Sequence, residues 1–521
     1  MSAGRTGVLL ARASSQPKTL SRTFERFDRK APRTRMKRNT CQRKRRALQY
    51  IRPGGIQDSV THPSANTTLN PQTSSPDTTS TQTDLARISL HIFHKATYTT
   101  RNFIWLLPPS MTLKIAIVGA GPAGCMLARI LSQKNNQISV TIFEGEGYLD
   151  FRSQGGTLDL HEKSGLKAMK EAGLWDEFLK YARYDGEAFQ LCDKKLLAYV
   201  SLSGGKPNQK GTGRPEIDRP KLRQILYESL PQGTVKWQHK ITSVSAEGII
   251  HFANQPDQSG FNLIVGADGA WSKVRPLVTN VKPFYSGIAG HALRIPDAEK
   301  TEPELYKLTN RGSIFNWSDG KSITAQYMGD GSLNIGTWSV RPEDWKETCG
   351  YDVHDAAATK ALCRKDYADW DPRLVAFTQK AEDRVVPRDL YMLPLGHRWD
   401  HVPGVTLIGD AAHLMTPFAG EGVNLAFSDC MELADAIGKS TTPEQLDRNV
   451  KMFEEKMFVR MNRFMQLTYD SMESMFMTPG APRYGVESFL LGAAGEELGW
   501  VLTMLITPLV YAYFAVFRMI W

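Results

Sequence analysis

The stretch KIAIVGAGPAGCMLARILSQKN, residues 114–135, decides the fold. It opens as an apolar run, breaks into glycines, and resumes with apolar residues at helical spacing, Leu127, Ile130 and Leu131 sharing one face. That order reads as strand, tight turn, helix. Gly119, Gly121 and Gly124 form G-x-G-x-x-G. The first permits the turn, the second lets backbone approach a pyrophosphate, and the third lets the helix pack close to the sheet. The triplet alone is a weak signal. Here a second strand follows, ISVTIFE at 138–144, and ends on Glu144, where a carboxylate can accept ribose hydroxyls. The unit predicts a Rossmann-type dinucleotide site in an α/β fold.

Two further turns resemble it physically. LIVGADGAWSKVR, 263–275, is a buried-type strand ending in Asp268 and Gly269. LIGDAAHLMTPFAGEGVNLAFSD, 407–429, runs from an apolar strand end into Gly409 and Asp410, then to a helix expected to begin near Val423. Asp410 falls at a strand's carboxyl end, where open α/β sheets bind ligands. Gly420, Glu421, Gly422 and Val423 leave backbone N–H groups at a helix mouth, which carries partial positive charge. Read alone, this stretch is also satisfied by a plain helix cap and tight turn. Three such turns, far apart in sequence, fit one long ligand better than a short one. FAD has that shape: Asp410 suits its ribityl hydroxyls and residues 420–423 suit the pyrimidine edge of its ring. A positive helix end there favours the reduced ring's charge by about 0.3–1 kcal/mol when exposed, up to ~2 when partly buried.

Charge divides the chain. Residues 1–110 carry 19 Lys/Arg against 5 Asp/Glu, leaving 45 against 49 in the remainder. The net charge of +10 therefore belongs to the leading segment, and the rest has no nucleic-acid signature. Residues 61–84 are nearly all polar or proline, too poor in apolar surface to fold alone. Three readings compete for this segment: an Arg-rich targeting peptide, a basic patch at RKRR (43–46), or an incidental extension preceding an active form that starts at Met111. The six cysteines are scattered, with no metal-ligand spacing, which points to a reducing, intracellular setting. Cys125 and Cys430 read as small buried apolar residues.

The expected division is a basic extension over 1–110; a nucleotide-binding domain in three pieces, 111–190, 216–283 and 384–440; and a substrate domain in two, 191–215 and 284–383. A long helix over 441–478 and a hydrophobic segment over 496–521 complete it. Short runs such as SITAQYMG and SLNIGTWSV predict an antiparallel sheet in the substrate domain. Met457, Met461 and Met465 follow helical spacing and read as core. Residues 500–517 contain no charge, which meets the lower bound for a membrane span; a helix packed on the enzyme body is the alternative.

Four motifs carry a resemblance: GAGPAG, GGTLDLH (155–161), PEIDRPKLR (215–223) and GDAAHLMTPFAGEGVN (409–424), with a weaker match at ADWDPR (368–373). Over about 113–470 the sequence resembles the aromatic-hydroxylase class of FAD-dependent monooxygenases, and within it the tetracycline-inactivating enzymes. The resemblance implies that Glu144 holds the adenosine ribose, that Asp159 and Arg219 contact FAD, and that Arg152 helps NADPH dock. Asp410 and the backbone of residues 420–423 match the family's third contact. Asp268 restores an Asp-Gly that the tetracycline enzymes lack, and Thr416 stands where they have proline. Glu421 replaces the usual glutamine and places a negative charge near the flavin.

The implied chemistry is that of the cofactor. NADPH reduces FAD, O2 adds to give a flavin 4a-hydroperoxide, and one oxygen passes to a small aromatic, polyketide-like or terpenoid substrate. His413 lies within the flavin-binding turn and is expected to be structural, so no catalytic side chain is expected. The substrate wall is expected from about 285–345 with Pro417 and Phe418. The expected partners are the substrate and O2, with a monomer acting alone. Two rivals share the scaffold: a membrane-associated epoxidase of a lipid-like substrate, and a non-catalytic FAD-binding escort.

Overall fold

The computed structural model describes residues 112–134, 137–149, 155–204 and 213–521. The extension over 1–110, Met111 and Arg152 lie outside the described residues.

A five-stranded sheet is built in the order Val405–Leu407, Leu263–Gly266, Leu113–Val118, Ile138–Phe143, Val235–Lys236, with every neighbouring pair parallel. Ile115 pairs with both Leu263 and Val140, which fixes the central register. Ile115, Ala116 and Ile117 are fully buried, as a strand covered on both faces requires. Parallel strands end on the same edge. The turns after Val118, Gly266 and Leu407 therefore come side by side, although the sequence separates them widely.

The helix Pro122–Lys134 covers this sheet with Leu127, Ile130 and Leu131 wholly buried. It also packs on the helix Gly422–Gly438, where Cys430 Sγ reaches Ala123 O at 3.2 Å. Burial pushes the Cys125 thiol up to about 12, so both cysteines act as apolar filling.

A seven-stranded sheet forms the second layer, in the order Val386–Met392, Phe284–Ile295, Leu333–Val340, Lys321–Tyr327, Ser313–Ser318, Phe189–Cys192, Ala198–Leu202. Its neighbours are antiparallel except Ser313–Ser318 with Phe189–Cys192. The two faces alternate along each strand. Ile314, Ile323, Ala325 and Ile335 enter a core with Leu374 and Phe377. Leu191, Phe315, Trp317 and Trp338 point to the other side, against Met475 and Phe476.

The helix Pro443–Met472 is capped by Thr442 Oγ1 and continues into a wider turn at Glu473–Met477. Met457, Met461 and Met465 are buried in the core around the five-stranded sheet. A last helix, Val486–Ile520, is broken at Gly499, whose φ of 76° and ψ of 163° are not helical. Its apolar stretch Leu498–Ile520 has mean hydropathy 1.8 and is long enough to cross a membrane, yet only 6% of it is buried. The buried contact is narrow: Phe514 is covered, Phe517 lies 5.2 Å from Tyr199, and Arg518 pairs with Glu487.

Candidate active site

The first turn admits only glycine at its hinge. Gly119 has φ +105°, and a Cβ there would sit 2.5 Å from Ala267 O. A Cβ on Gly124 would sit 2.0 Å from Gly119 O, whereas one on Gly121 would meet nothing within 4 Å. Gly121 thus faces open space beside the helix mouth. Glu144 staples the loop: Oε2 accepts the Ala120 N–H at 2.7 Å and Oε1 accepts the Glu146 N–H at 2.9 Å. Each oxygen keeps a lone pair for a further donor. Arg223 lies buried beneath, donating from Nε to Ala120 O at 3.0 Å and from Nη1 to Glu146 Oε2 at 2.9 Å. This cation was missed in the sequence, although it is the second arginine of PEIDRPKLR.

The second and third turns are joined by Arg275, which closes the motif LIVGADGAWSKVR. Arg275 donates to Ala270 O at 3.0 Å on one side, and to Asp410 O at 3.1 Å and Ala411 O at 2.8 Å on the other. Asp268 Oδ2 accepts the Lys273 N–H at 2.6 Å, while its Oδ1 is buried without a partner. Burial pushes the Asp268 carboxyl up, against the hydrogen bonds from Ser272 and Lys273. Asp410 opens the short helix Asp410–His413, and its residue is exposed. His413 is fully buried and turned to Asp429, so it braces the turn rather than facing a ligand.

The fourth element closes the rim. Gly420 has φ +69°, and a Cβ on it would come 3.4 Å from Asp159 Oδ1. The next helix begins at Gly422, one residue earlier than expected, and Gly422 faces open space. Val423 is half-buried behind it. Asn424, also missed, ties GGTLDLH to this helix: its Oδ1 accepts the His161 N–H at 2.9 Å and its Nδ2 donates to Asp159 O at 3.0 Å. Glu421 stands at the mouth of this helix. The side chain is 7% exposed, folded inward with Oε1 3.4 Å from His161 Nδ1. Arg219 is exposed, yet surrounding protein depresses its guanidinium, with the Asp410 carboxylate opposing that shift. Its N–H reaches Gly156 O at 3.4 Å.

Glu144, Gly119, Asp268, Arg275 and Asp410 line one stretch of this rim, and Arg219, Asp159 and Gly420 another, with the Asp410 carboxylate acting electrostatically on Arg219. The rim then meets the seven-stranded sheet, because a Cβ on Gly156 would touch Gln326 Oε1 at 2.5 Å and Asn334 Nδ2 at 3.0 Å. On that sheet face Phe315, Trp338 and Leu390 share an apolar cluster with Phe418, and Phe418 lies 5.0 Å from Phe476. Open glycines, an orphaned buried carboxylate oxygen and the exposed residues Arg219 and Asp410 fit a long ligand with phosphates, hydroxyls and a ring.

The FAD binding domain family matches residues 112–286 and 398–457, which hold all the turns above. The chain is 30% identical over 442 residues to monooxygenase penA of Penicillium thymicola, covering 71% of this chain and 97% of that one. The chain belongs to the FAD-dependent monooxygenases of aromatic-hydroxylase type. Monooxygenase asqM of Emericella nidulans is 29% identical over 421 residues, covering 68% of this chain and 94% of its own length. The tetracycline destructase Tet(51) shares the fold, with a TM-score of 0.54 at 16% identity over 75% of this chain and 97% of that one. FAD is the family's cofactor, and the residues present fit it.

Proposed function

We propose that this flavin monooxygenase consumes NADPH and places one oxygen atom from O2 on an apolar, ring-bearing small molecule held between FAD and the seven-stranded sheet. The observation that carries this reading is the contact of Gly156 with Gln326 and Asn334, which sets the sheet's aromatic face against the cofactor rim. Bound FAD supplies the hydride acceptance and the oxygen activation. The chain's own residues bind, orient and exclude water. Gly119, Gly121 and Gly124 let backbone reach the pyrophosphate, with Arg223 behind it, and Glu144 takes the ribose. Asp410, Asp268 and Arg219 hold the polyhydroxy chain. Asp159 and the N–H groups of 420–423 hold the ring edge, and Arg152 helps NADPH dock. Phe315, Trp338, Leu390 and Phe418 keep water from the reacting carbon, while Gln326 and Asn334 orient a polar substituent.

The test is NADPH oxidation by the flavin-loaded protein against phenols, polyketides and terpenoids, with product masses. Stimulated oxidation with a gain of one oxygen supports the reading. A protein that takes up no flavin overturns it.

The exposed helix favours a second reading, in which the substrate is lipid-like and is met at a membrane. Leu502, Leu505, Leu509 and Val516 are exposed along it, with Trp500, Tyr511, Tyr513 and Trp521 suited to the interface. Its inner side, through Val510, Phe514 and Phe517, joins the same apolar cluster as Phe418 and Trp338. Vesicle flotation of the full chain, beside a chain ending at Gly499, tests this. Equal flotation of the two would remove it.

A further inference from the structure

The departure at Glu421 has a partner in the fold. His161 is held between two carboxylates: its Nε2 lies 2.8 Å from Asp159 Oδ2 and its Nδ1 lies 3.4 Å from Glu421 Oε1. Its ring is 12% exposed. A neutral imidazole has one N–H, and an ionised carboxylate only accepts. Donating toward both at once takes the doubly protonated ring. We propose that His161, as an imidazolium, is a positioning residue that keeps Glu421 folded inward, so that the N–H groups at residues 420–423 stay open to the flavin edge. This rests on the FAD site assigned above.

The surroundings make the cation consequential. Burial of His161 opposes its charge, but the hydrogen bonds and charges of Asp159 and Glu421 win and push its pKa up to about 9. Behind Asp159, the paired strand carries Glu216 and Asp218. Arg183 donates to Glu216 Oε2 at 3.0 Å and lies 3.8 Å from Asp218 Oδ1. Burial pushes Glu216 up to about 8, with Arg183 opposing and Asp159 and Asp218 adding to it. Around this strand pair four carboxyl groups thus face His161 and Arg183, and Arg183 is committed to the far side. If His161 loses its proton, Glu421 is left facing a neutral ring and the Asp159 carboxylate. Its nearest attraction is then the unpaired N–H groups at the start of its own helix, which favour anions. A carboxylate there competes with the flavin.

The stabilisation is fully present below the unfolded histidine value of about 6.5 and is lost as pH rises through about 9. The test is FAD binding to the apoprotein, read by flavin fluorescence between pH 7 and 9.5. The full chain is compared with H161Q, E421Q and H161Q/E421Q. Melting temperatures of the apoproteins serve as a folding control. We expect the unmodified chain to lose roughly tenfold in affinity across this range. H161Q should bind roughly tenfold more weakly than the unmodified chain at pH 7, with no further fall toward pH 9.5. E421Q and the double variant should bind without the alkaline fall, the double variant rescuing the weak binding of H161Q. A flat profile for the unmodified chain, or a double variant as weak as H161Q, overturns the proposal. No FAD binding by the unmodified chain at pH 7 overturns the cofactor site itself, a separate result.

Discussion

The Asp429 carboxylate lies 2.6 Å from His413 Nε2 and 3.0 Å from the Gly409 backbone N, so a wholly buried acid holds the turn that presents Asp410. Its second oxygen lies 2.9 Å from Arg460 Nη2. Burial works against this charge, but His413, Arg460 and the Gly409 N–H hold the carboxyl below its ordinary range. Asp429→Ala strands His413, leaves Arg460 with Glu432 as its carboxylate partner, and should cost about 3–5 kcal/mol in urea unfolding. Because the folded value is depressed, this stability is present above about pH 3.9 and is lost as pH falls through the folded value. Acid unfolding of Asp429→Ala should therefore be shallower than that of the unmodified chain.

Two glycines of the first turn should separate folding from binding. Gly119→Ala puts a Cβ at φ +105° and 2.5 Å from Ala267 O, and should destabilise the apoprotein by about 1–3 kcal/mol or more. Gly121→Ala meets open space and should leave the melting temperature within a few degrees. It should nonetheless weaken FAD binding, since the methyl group stands where backbone approaches phosphate. Calorimetry of the apoproteins and FAD titration distinguish the two effects. Equal FAD affinity for Gly121→Ala and the unmodified chain would place the pyrophosphate elsewhere.

Asp410 and Arg219 are both exposed, so removing either side chain should change stability by no more than about 0.5 kcal/mol. Each substitution to alanine should lower FAD affinity roughly tenfold, the worth of a hydrogen bond to a charged group. The two losses should not add, because the Asp410 carboxylate acts on the Arg219 guanidinium in the free protein. Strict additivity in the double variant would show that they act at separate places.

Trp338 and Phe418 line the apolar cluster that adjoins the rim. Trp338→Ala and Phe418→Ala should admit water and roughly tenfold lower the yield of oxygenated product per NADPH, with peroxide rising in step. The ratio of peroxide to product measures this. An unchanged ratio in both variants would move the substrate to another face.

Several features were legible because they are local. The G-x-G-x-x-G turn, the strand ending on Glu144 and the helix through Met457, Met461 and Met465 follow from glycine geometry and from periods of 2 and 3.6 residues. Asp268 and Asp410 could be named from the turns that carry them, and Asp159 and Arg219 from the family resemblance of their motifs. The sequence also carried Glu421 as a departure, but not the direction in which its side chain turns.

What only the tertiary structure decided lies in contacts between distant residues. Arg275 joins Ala270 to Ala411, Asn424 holds His161 across the chain, and Arg223 reaches back to Ala120. The strand order that sets Leu263–Gly266 between Leu113–Val118 and Val405–Leu407 brings three turns to one edge. The sequence by itself determined the turns, their glycines and the chemistry each could offer, because backbone sterics and side-chain periodicity act between near neighbours. Which charges are paired, buried or left open was decided by packing, since the strength of a charge interaction depends on distance and on the surrounding medium, and both arise only when remote segments meet.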